Sequence, residues 1–301
     1  MSDIIHAPGY QQAVTDSRPK RNIWLMALDY VFYIVLALAV VAFLYYIYYF
    51  MFSYPVTPAR LYLSFLWEGL IATIIISIIS MVLATIFGLI SALGRLSRLA
   101  PLRWIATIYV EVIRGTPLLV QILLWYFGIG QVLSNAGFDP YNVAYQIMTA
   151  LQNNSILPTP GVFDAFFYGI VALSFNYGAY LTEVFRTGIE TVNKGQTEAA
   201  LSLGLTSRQT MRHIVLPQAI RITIPPFTNY FITLVQDSAL LSTIAVAELE
   251  QHTSAIADPL THADIKLFIY VLGGIFYFVV CYALAMLARY LESRFARAYA
   301  N

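Results

Sequence analysis

The sequence predicts an all-α, polytopic membrane protein. Of its 301 residues 59% are hydrophobic and only 11% charged, whereas a soluble domain carries about 25% charged residues. Mean hydropathy is +0.69, and the apolar residues gather into six long uncharged stretches. This composition excludes a soluble globular enzyme. Lys plus Arg number 17 against 16 Asp plus Glu, so no bulk positive field exists and no nucleic acid is expected as a partner. The single cysteine, Cys281, cannot build a disulfide framework or a cysteine metal site. Membrane lipid and helix packing must therefore hold the fold. No catalytic residue, metal ligand or cofactor is read from the sequence.

Each span is marked by where charges stop. Tyr30–Phe52 has 23 uncharged residues, Gly69–Gly94 has 26, Gly115–Phe138 has 24, Ala165–Thr182 has 18, Ile222–Gln236 has 15 and Leu267–Ala288 has 22. Crossing a hydrocarbon core of about 30 Å takes roughly 20 helical residues. The fourth and fifth stretches fall short only because Glu183 and Asp237 interrupt them, and both continue apolar on one side. Six spans with both termini inside place 15 Lys and Arg on inner segments and only Arg60 and Lys266 on outer ones, as the positive-inside rule requires. The first run is too long for a signal peptide, and no small-residue cleavage site follows it, so it reads as a retained anchor. Its aromatic run Tyr45–Phe50 suits an interfacial belt.

Residues 1–22 are polar and contain Pro8, Gly9 and Pro19, which reads as a mobile cytoplasmic tail. Residues 23–54 hold the first span and 60–297 the remaining membrane domain. The outer segment Gly137–Pro160 carries the mildly apolar VAYQIMTAL and predicts a short helix outside the membrane, available to a soluble partner. Gly115 and Pro117 interrupt helix, so Trp104–Ile113 reads as a partly interfacial helix and Pro117 onward as the true third span. Pro225 and Pro226 fit the start of span five or a hinge.

The inner segment 190–221, ETVNKGQTEAALSLGLTSRQTMRHIVLPQAIR, predicts two short amphipathic helices. Gly204 permits a tight turn between them. Ser207 is the expected N-cap of the second, and Pro217 its end. Such a segment suits an amphipathic connector resting on the membrane surface.

The string EAALSLG, nine residues, then IVLP (Glu198 to Pro217) resembles the cytoplasmic EAA signature of permease subunits in ATP-binding-cassette importers. EVIRGTPLLVQ (Glu111–Gln121), NYGAYLTEVFRTGI (Asn176–Ile189) and NYFITLVQDSALLS (Asn229–Ser242) resemble the polar amino-acid branch of that family. The resemblance runs from about Trp67 to the C-terminus and implies the five-helix core of the type I importer permease, to which this chain adds an N-terminal span and a longer outer loop. It also implies a division of labour in the bacterial inner membrane. A soluble amino-acid-binding protein delivers substrate, two permease subunits form the path, and a cytoplasmic ATPase dimer drives it. No GxxxxGK[ST] loop occurs in the chain, so ATP hydrolysis is expected in the separate ATPase subunits. By the same resemblance, Glu198, Ala199, Ala200 and Gly204, with Pro217, form the ATPase-coupling segment.

Acids inside a membrane need a partner or a wet cavity, because a charge there costs about 2.5–3.5 kcal/mol on insertion scales. Asp237 shares a helical face with Tyr230 and Thr233; it reads either as a pathway residue or as a structural acid paired with a base such as Arg114. Asn176, Tyr180, Glu183 and Thr187 form a second polar stripe. A free amino acid brings an ammonium and a carboxylate, for which Glu183 offers an anion and Asn176 and Tyr180 offer donors. Alternatively, Glu183 pairs with Arg186 at the inner interface. Gln121 adds an amide to the path or makes an interhelical hydrogen bond. The rival classes are weaker: no repeated halves suggest a self-contained carrier, and His6, His213, His252 and His262 fall in tails or loops rather than within spans beside a serine or acid, against an intramembrane hydrolase.

Overall fold

The computed structural model describes residues 59–150 and 160–297, together with positions 31, 34, 35, 38, 41 and 45. The chain divides into two compact units, Met1–Ala59 and Arg60–Asn301. In the first unit the described positions before Ala59 are all helical; the expected tail and the remainder of the first span lie outside the described residues.

The second unit holds nine helices and no strand among the described residues. They are α1 Ala59–Leu96, α2 Ala100–Arg114, α3 Leu118–Asn135, α4 Pro140–Ala150, α5 Pro160–Glu190, α6 Lys194–Ser202, α7 Ser207–Ile244, α8 Leu249–Ala257 and α9 Ala263–Arg297. Four stretches are long and apolar enough to cross a membrane, Tyr62–Leu96, Leu118–Asn135, Val162–Glu190 and Ala263–Tyr290. The bent pair α7 and α8, meeting at 52°, makes a fifth. These are the five core spans that the uncharged stretches predict. The helix expected within the outer loop is α4.

Proline chemistry explains the expected break at Pro117, and why the helix runs through Pro217, its expected end, and through Pro225 and Pro226. Pro117 sits in extended backbone (ψ 138°) just before α3, while the Gly115 amide closes α2 by donating to Glu111 O at 2.9 Å. Pro217 does not end its helix, because the wide π turn Met211–Val215 precedes it and the Leu216 amide bonds to Met211 O. A π turn leaves a carbonyl without an in-helix donor, which is where a residue lacking an amide hydrogen fits. Pro225 and Pro226 likewise lie inside α7 rather than at its start. Thr228 Oγ1 donates to Pro225 O at 2.9 Å, one of the side-chain bonds by which membrane helices re-satisfy backbone near prolines.

The main core joins four helices: Ile76 from α1, Ile122 from α3, Leu173 and Leu181 from α5, and Leu234 and Leu241 from α7 are completely buried. A second cluster sets Leu66 and Leu70 of α1 and Leu249 of α8 against Leu272 and Phe276 of α9. Lipid tails are as apolar as leucine, so helices in a membrane associate through close backbone approach rather than hydrophobic exclusion. Gly178 of α5 supplies it: a Cβ there would lie 2.7 Å from Tyr109 Oη of α2 and 2.9 Å from Phe87 Cβ of α1. The same crossing is pinned by Tyr109 donating to Phe175 O at 2.7 Å.

Candidate functional site

The segment after α5 folds as a compact module. Asn193 caps α6 by accepting from the Gly195 amide at 2.8 Å. At the other end, Leu205 N bonds to Ala200 O and Gly204 N to Leu201 O, the paired bonds of a Schellman stop. Gly204 has φ +84°, and a Cβ there would meet nothing within 4 Å. It is needed for its left-handed backbone, not for space. The N-cap of α7 is Thr206, not Ser207: its Oγ1 accepts from Gln209 N while Gln209 Oε1 accepts from Thr206 N at 2.8 Å. A capping box needs a three-residue spacing, and counting back from Gln209 reaches Thr206. Consequently Ala200 is buried while Glu198 and Ala199 are exposed, and Leu203 is 81% exposed at the tip. A groove of about 470 Å³ between α6 and α7 is lined by Ala199, Ala200, Leu203, Leu205, Ile214 and Pro217.

Above this module lies a cluster of ions. Glu183 of α5 is held by Arg95 of α1 through Oε1 and by Arg186 through Oε2, with Arg186 Nε donating at 2.9 Å and Nη2 at 2.8 Å. Arg114, at the end of α2, lies 3.8 Å from Oε1. Arg186 also donates to Glu190 at 2.5 Å. The expected free anion is therefore already matched by three guanidinium groups, and any ammonium would compete with all of them. The reading that pairs Glu183 with Arg186 describes the geometry.

Gln121 and Asn176 are also committed to the protein. Asn176 Nδ2 donates to Gln121 Oε1 at 3.1 Å, and Gln121 Nε2 donates back across the α2–α3 break to Ile113 O at 2.7 Å and Thr116 Oγ1 at 2.8 Å. Both side chains are buried. Buried amides left unmatched cost free energy, so the pair fixes the break against α5, as the interhelical reading of Gln121 expects.

Asp237 is placed differently from its expected pairing with Arg114. Its Oδ2 accepts from Tyr177 Oη at 2.7 Å. Tyr177 in turn packs with Tyr180 and Tyr230, with ring centroids 6.4 Å apart for Tyr177 and Tyr230 and 5.4 Å for Tyr180 and Tyr230. The Arg114 guanidinium lies over Tyr180, 5.3 Å from the ring centre, a cation–π contact. Tyr180, Tyr230 and Asp237 are half-buried, while Asn229 and Thr233 beside them on α7 are exposed. The cluster thus carries a cation at one end, an acid at the other and an open polar face.

The residue that sequence reasoning missed is Glu248. It is completely buried and caps α8, accepting from Gln251 N at 2.8 Å and Glu250 N at 2.9 Å, and it accepts from Tyr277 Oη of α9 at 2.6 Å. Thr73 Oγ1 of α1 adds a 3.5 Å contact and accepts from Leu249 N at 3.1 Å. Ala245, with φ +59°, turns the chain between α7 and α8. An acid three residues ahead of Gln251, the spacing of a helix cap, was the available signal. His213 and His252, expected in loops, lie on α7 and α8.

A bundle of five apolar spans with a polar face and a compact connecting module defines a membrane-embedded transport component. Residues 84–297 match the family of binding-protein-dependent transport system inner membrane components, and the chain belongs to it. It is 35% identical over 229 residues to the L-cystine transport system permease protein of Bacillus subtilis, covering 76% of this chain and 86% of that protein. It is 33% identical over 237 residues to the glutamate/aspartate import permease protein of Escherichia coli O157:H7, covering 78% and 95%. The fold is similar to the crystal structure of an amino acid ABC transporter with histidines, with TM-score 0.63 and 33% identity over 77% of this chain and 95% of that one. The chain is an integral inner-membrane permease, a transport component rather than an enzyme, and membership implies a binding protein and an ATPase as partners.

Proposed function

We propose that this chain lines the path of an ATP-driven importer for a polar amino acid. Two permease subunits, a second copy or a relative, would face each other across the polar side of α5 and α7. An ATPase dimer would dock on Glu198 and Ala199 beside Leu203, with buried Ala200, Gly204 and Pro217 setting the module's shape, and an amino-acid-binding protein would dock on the opposite, extracytoplasmic face. Both termini would be cytoplasmic. Residues 1–22 would be a tail, 23–54 an added span and 60–297 the permease domain, with 190–221 its coupling segment.

The observation that carries the reading is the half-open cluster of Arg114, Tyr180, Tyr230 and Asp237. A zwitterion needs a fixed cation for its carboxylate and a fixed anion for its ammonium, in a site shielded enough for charge-assisted hydrogen bonds to matter. Exposed Asn229 and Thr233 extend that face, and polar groups at membrane depth normally face a bundle interior or wet cavity. In this arrangement Glu183 positions Arg114 and Arg95 and does not touch substrate, while Gln121 and Asn176 hold the break that aims Arg114.

The test is uptake of labelled polar amino acids by the reconstituted complex. Asp237→Asn should raise the half-saturating concentration about tenfold, equivalent to about 1.4 kcal/mol, with assembly and basal ATP hydrolysis intact. Unchanged half-saturation would remove Asp237 from the substrate contacts.

A further inference from the structure

At the end of α5 opposite the α6 module lies a cavity of about 300 Å³, bounded by the C-terminal half of α3, the start of α4 and the start of α5. Its walls include Gln131, Ser134, Asp139, Asp164 and Tyr168. Along α5, Asp164 is 16 residues from Tyr180, about 24 Å at 1.5 Å per residue. The cavity is thus separate from the cluster proposed to hold substrate.

Two of its polar atoms are buried without a hydrogen-bond partner, Asp164 Oδ1 and Tyr168 Oη. Tyr168 is only 4% exposed. Buried polar atoms are matched in native proteins in the great majority of cases, and each exception calls for a physical reason. The neighbouring groups are fixed by their own bonds. Asp164 accepts from the Tyr141 amide. Asp139 caps α4, with Oδ1 accepting from Asn142 N at 3.0 Å and Oδ2 from Asn142 Nδ2 at 2.6 Å. The tyrosine ring is equally fixed: a Cβ on Gly130 would lie 3.0 Å from both Cε2 and Cζ of Tyr168, so the absent side chain at Gly130 is what lets the ring stand there.

The unmatched atoms define the ligand. Asp164 Oδ1 is an acceptor that needs a donor. The Tyr168 oxygen accepts equally well, and Asp139 adds negative charge to the same wall. A planar guanidinium or an alkylammonium brings several N–H donors with a positive charge on one small head group, and the volume accommodates either. We propose that this cavity is a binding site for the guanidinium or ammonium head of a basic group. That group comes either from a Lys or Arg side chain of a soluble protein docking on this face or from a free basic solute. The assignment goes beyond the transport reading and does not depend on which substrate is carried.

The test uses the full-length chain in lipid nanodiscs and ligand-observed NMR with n-propylguanidinium, n-butylammonium and the neutral N-propylurea. Saturable binding of the two cations and none of the urea is expected. Asp164→Asn retains an acceptor for the Tyr141 amide and should weaken cation binding at least tenfold. Tyr168→Phe should weaken it several-fold, and Gly130→Ala, which crowds the ring and the Trp125 carbonyl, should also weaken it. Thermal unfolding confirms that each variant is folded. Equal binding of N-propylurea, or undiminished cation binding in folded Asp164→Asn, overturns the proposal. The source is separated with the binding protein present: loss of its docking in Asp164→Asn, and competition by n-propylguanidinium, identify a partner side chain. Unaltered docking with saturable binding of free lysine or arginine identifies a solute.

Discussion

Glu183 and Glu248 are both acids on the inside of a helix bundle, and they are stabilised by opposite means. Glu183, near the α6 module, is matched by three arginines on three helices and keeps 20% of its side chain exposed. Glu248 meets no cation among the described residues; it is fully buried and matched by a phenol, a threonine and two backbone amides. Near the surface, long cationic side chains can reach both the acid and water. Deep in the bundle that reach fails, and desolvating a second ion would cost several kcal/mol more, so fixed dipoles do the work. The two sites should therefore respond unequally when the acid is removed, because freed arginines can turn toward water and freed amides cannot.

The largest effect is expected for Glu248→Ala. Tyr277, Thr73 and the first turn of α8 would lose their common acceptor, at a cost of about 3 kcal/mol or more, and the bend between α7 and α8 would loosen. Thermal unfolding of purified protein would show it, and a loss no greater than at Glu183 would break the comparison. Next comes Glu183→Gln, which leaves Arg95, Arg114 and Arg186 crowded without their anion, for about 1–2 kcal/mol. The double variant with Arg95→Gln should recover part of that loss, a coupling that a double-mutant cycle reads directly. A merely additive double variant would mean that the arginines do not depend on the acid.

The α6 module sharpens the contrast, since neither burial nor charge is at stake there. Gly204→Val forces a branched residue into left-handed backbone, about 1–2 kcal/mol of local strain, and should reduce ATPase co-purification while bulk unfolding barely moves. Normal co-purification would separate the turn from the docking contact. Thr206→Ala removes one side of the capping box and should cost about 1 kcal/mol, visible as faster amide exchange at the start of α7. No change in exchange would show that Gln209 alone holds that end.

Much of this architecture is legible in sequence because it depends on local rules. Span positions follow from where charges stop, and Gly204 follows from the left-handed stop that ends α6. What fails to show is whatever depends on how helices rotate against one another. Arg95 and Glu183 are 88 residues apart, and no periodicity along α5 reveals that α1 and α2 both deliver an arginine to it. The polar stripe Asn176, Tyr180, Glu183 is real, yet only Tyr180 opens toward the proposed path, because Asn176 and Glu183 meet partners from other helices. Pro217, Pro225 and Pro226 misled for a related reason: a π turn and a threonine bond absorb what a proline removes. Glu248 was hidden because a helix cap and a buried acid read alike in one dimension.

The π turn at Leu124–Ile129 in α3 also sets an angular phase. Gln121 and Gly130 are nine residues apart, which in regular α-helix turns them about 180° from one another. Yet Gln121 meets Asn176 and Gly130 meets Tyr168, both on α5. The wide turn absorbs one residue's rotation and brings the two positions to within about 80°. Regularising the turn at constant length would swing the far half of the helix by about 100° and leave α3 able to keep one appointment with α5 but not both, whereas deleting a single residue such as Gly128 would even the winding and keep the two positions about 80° apart.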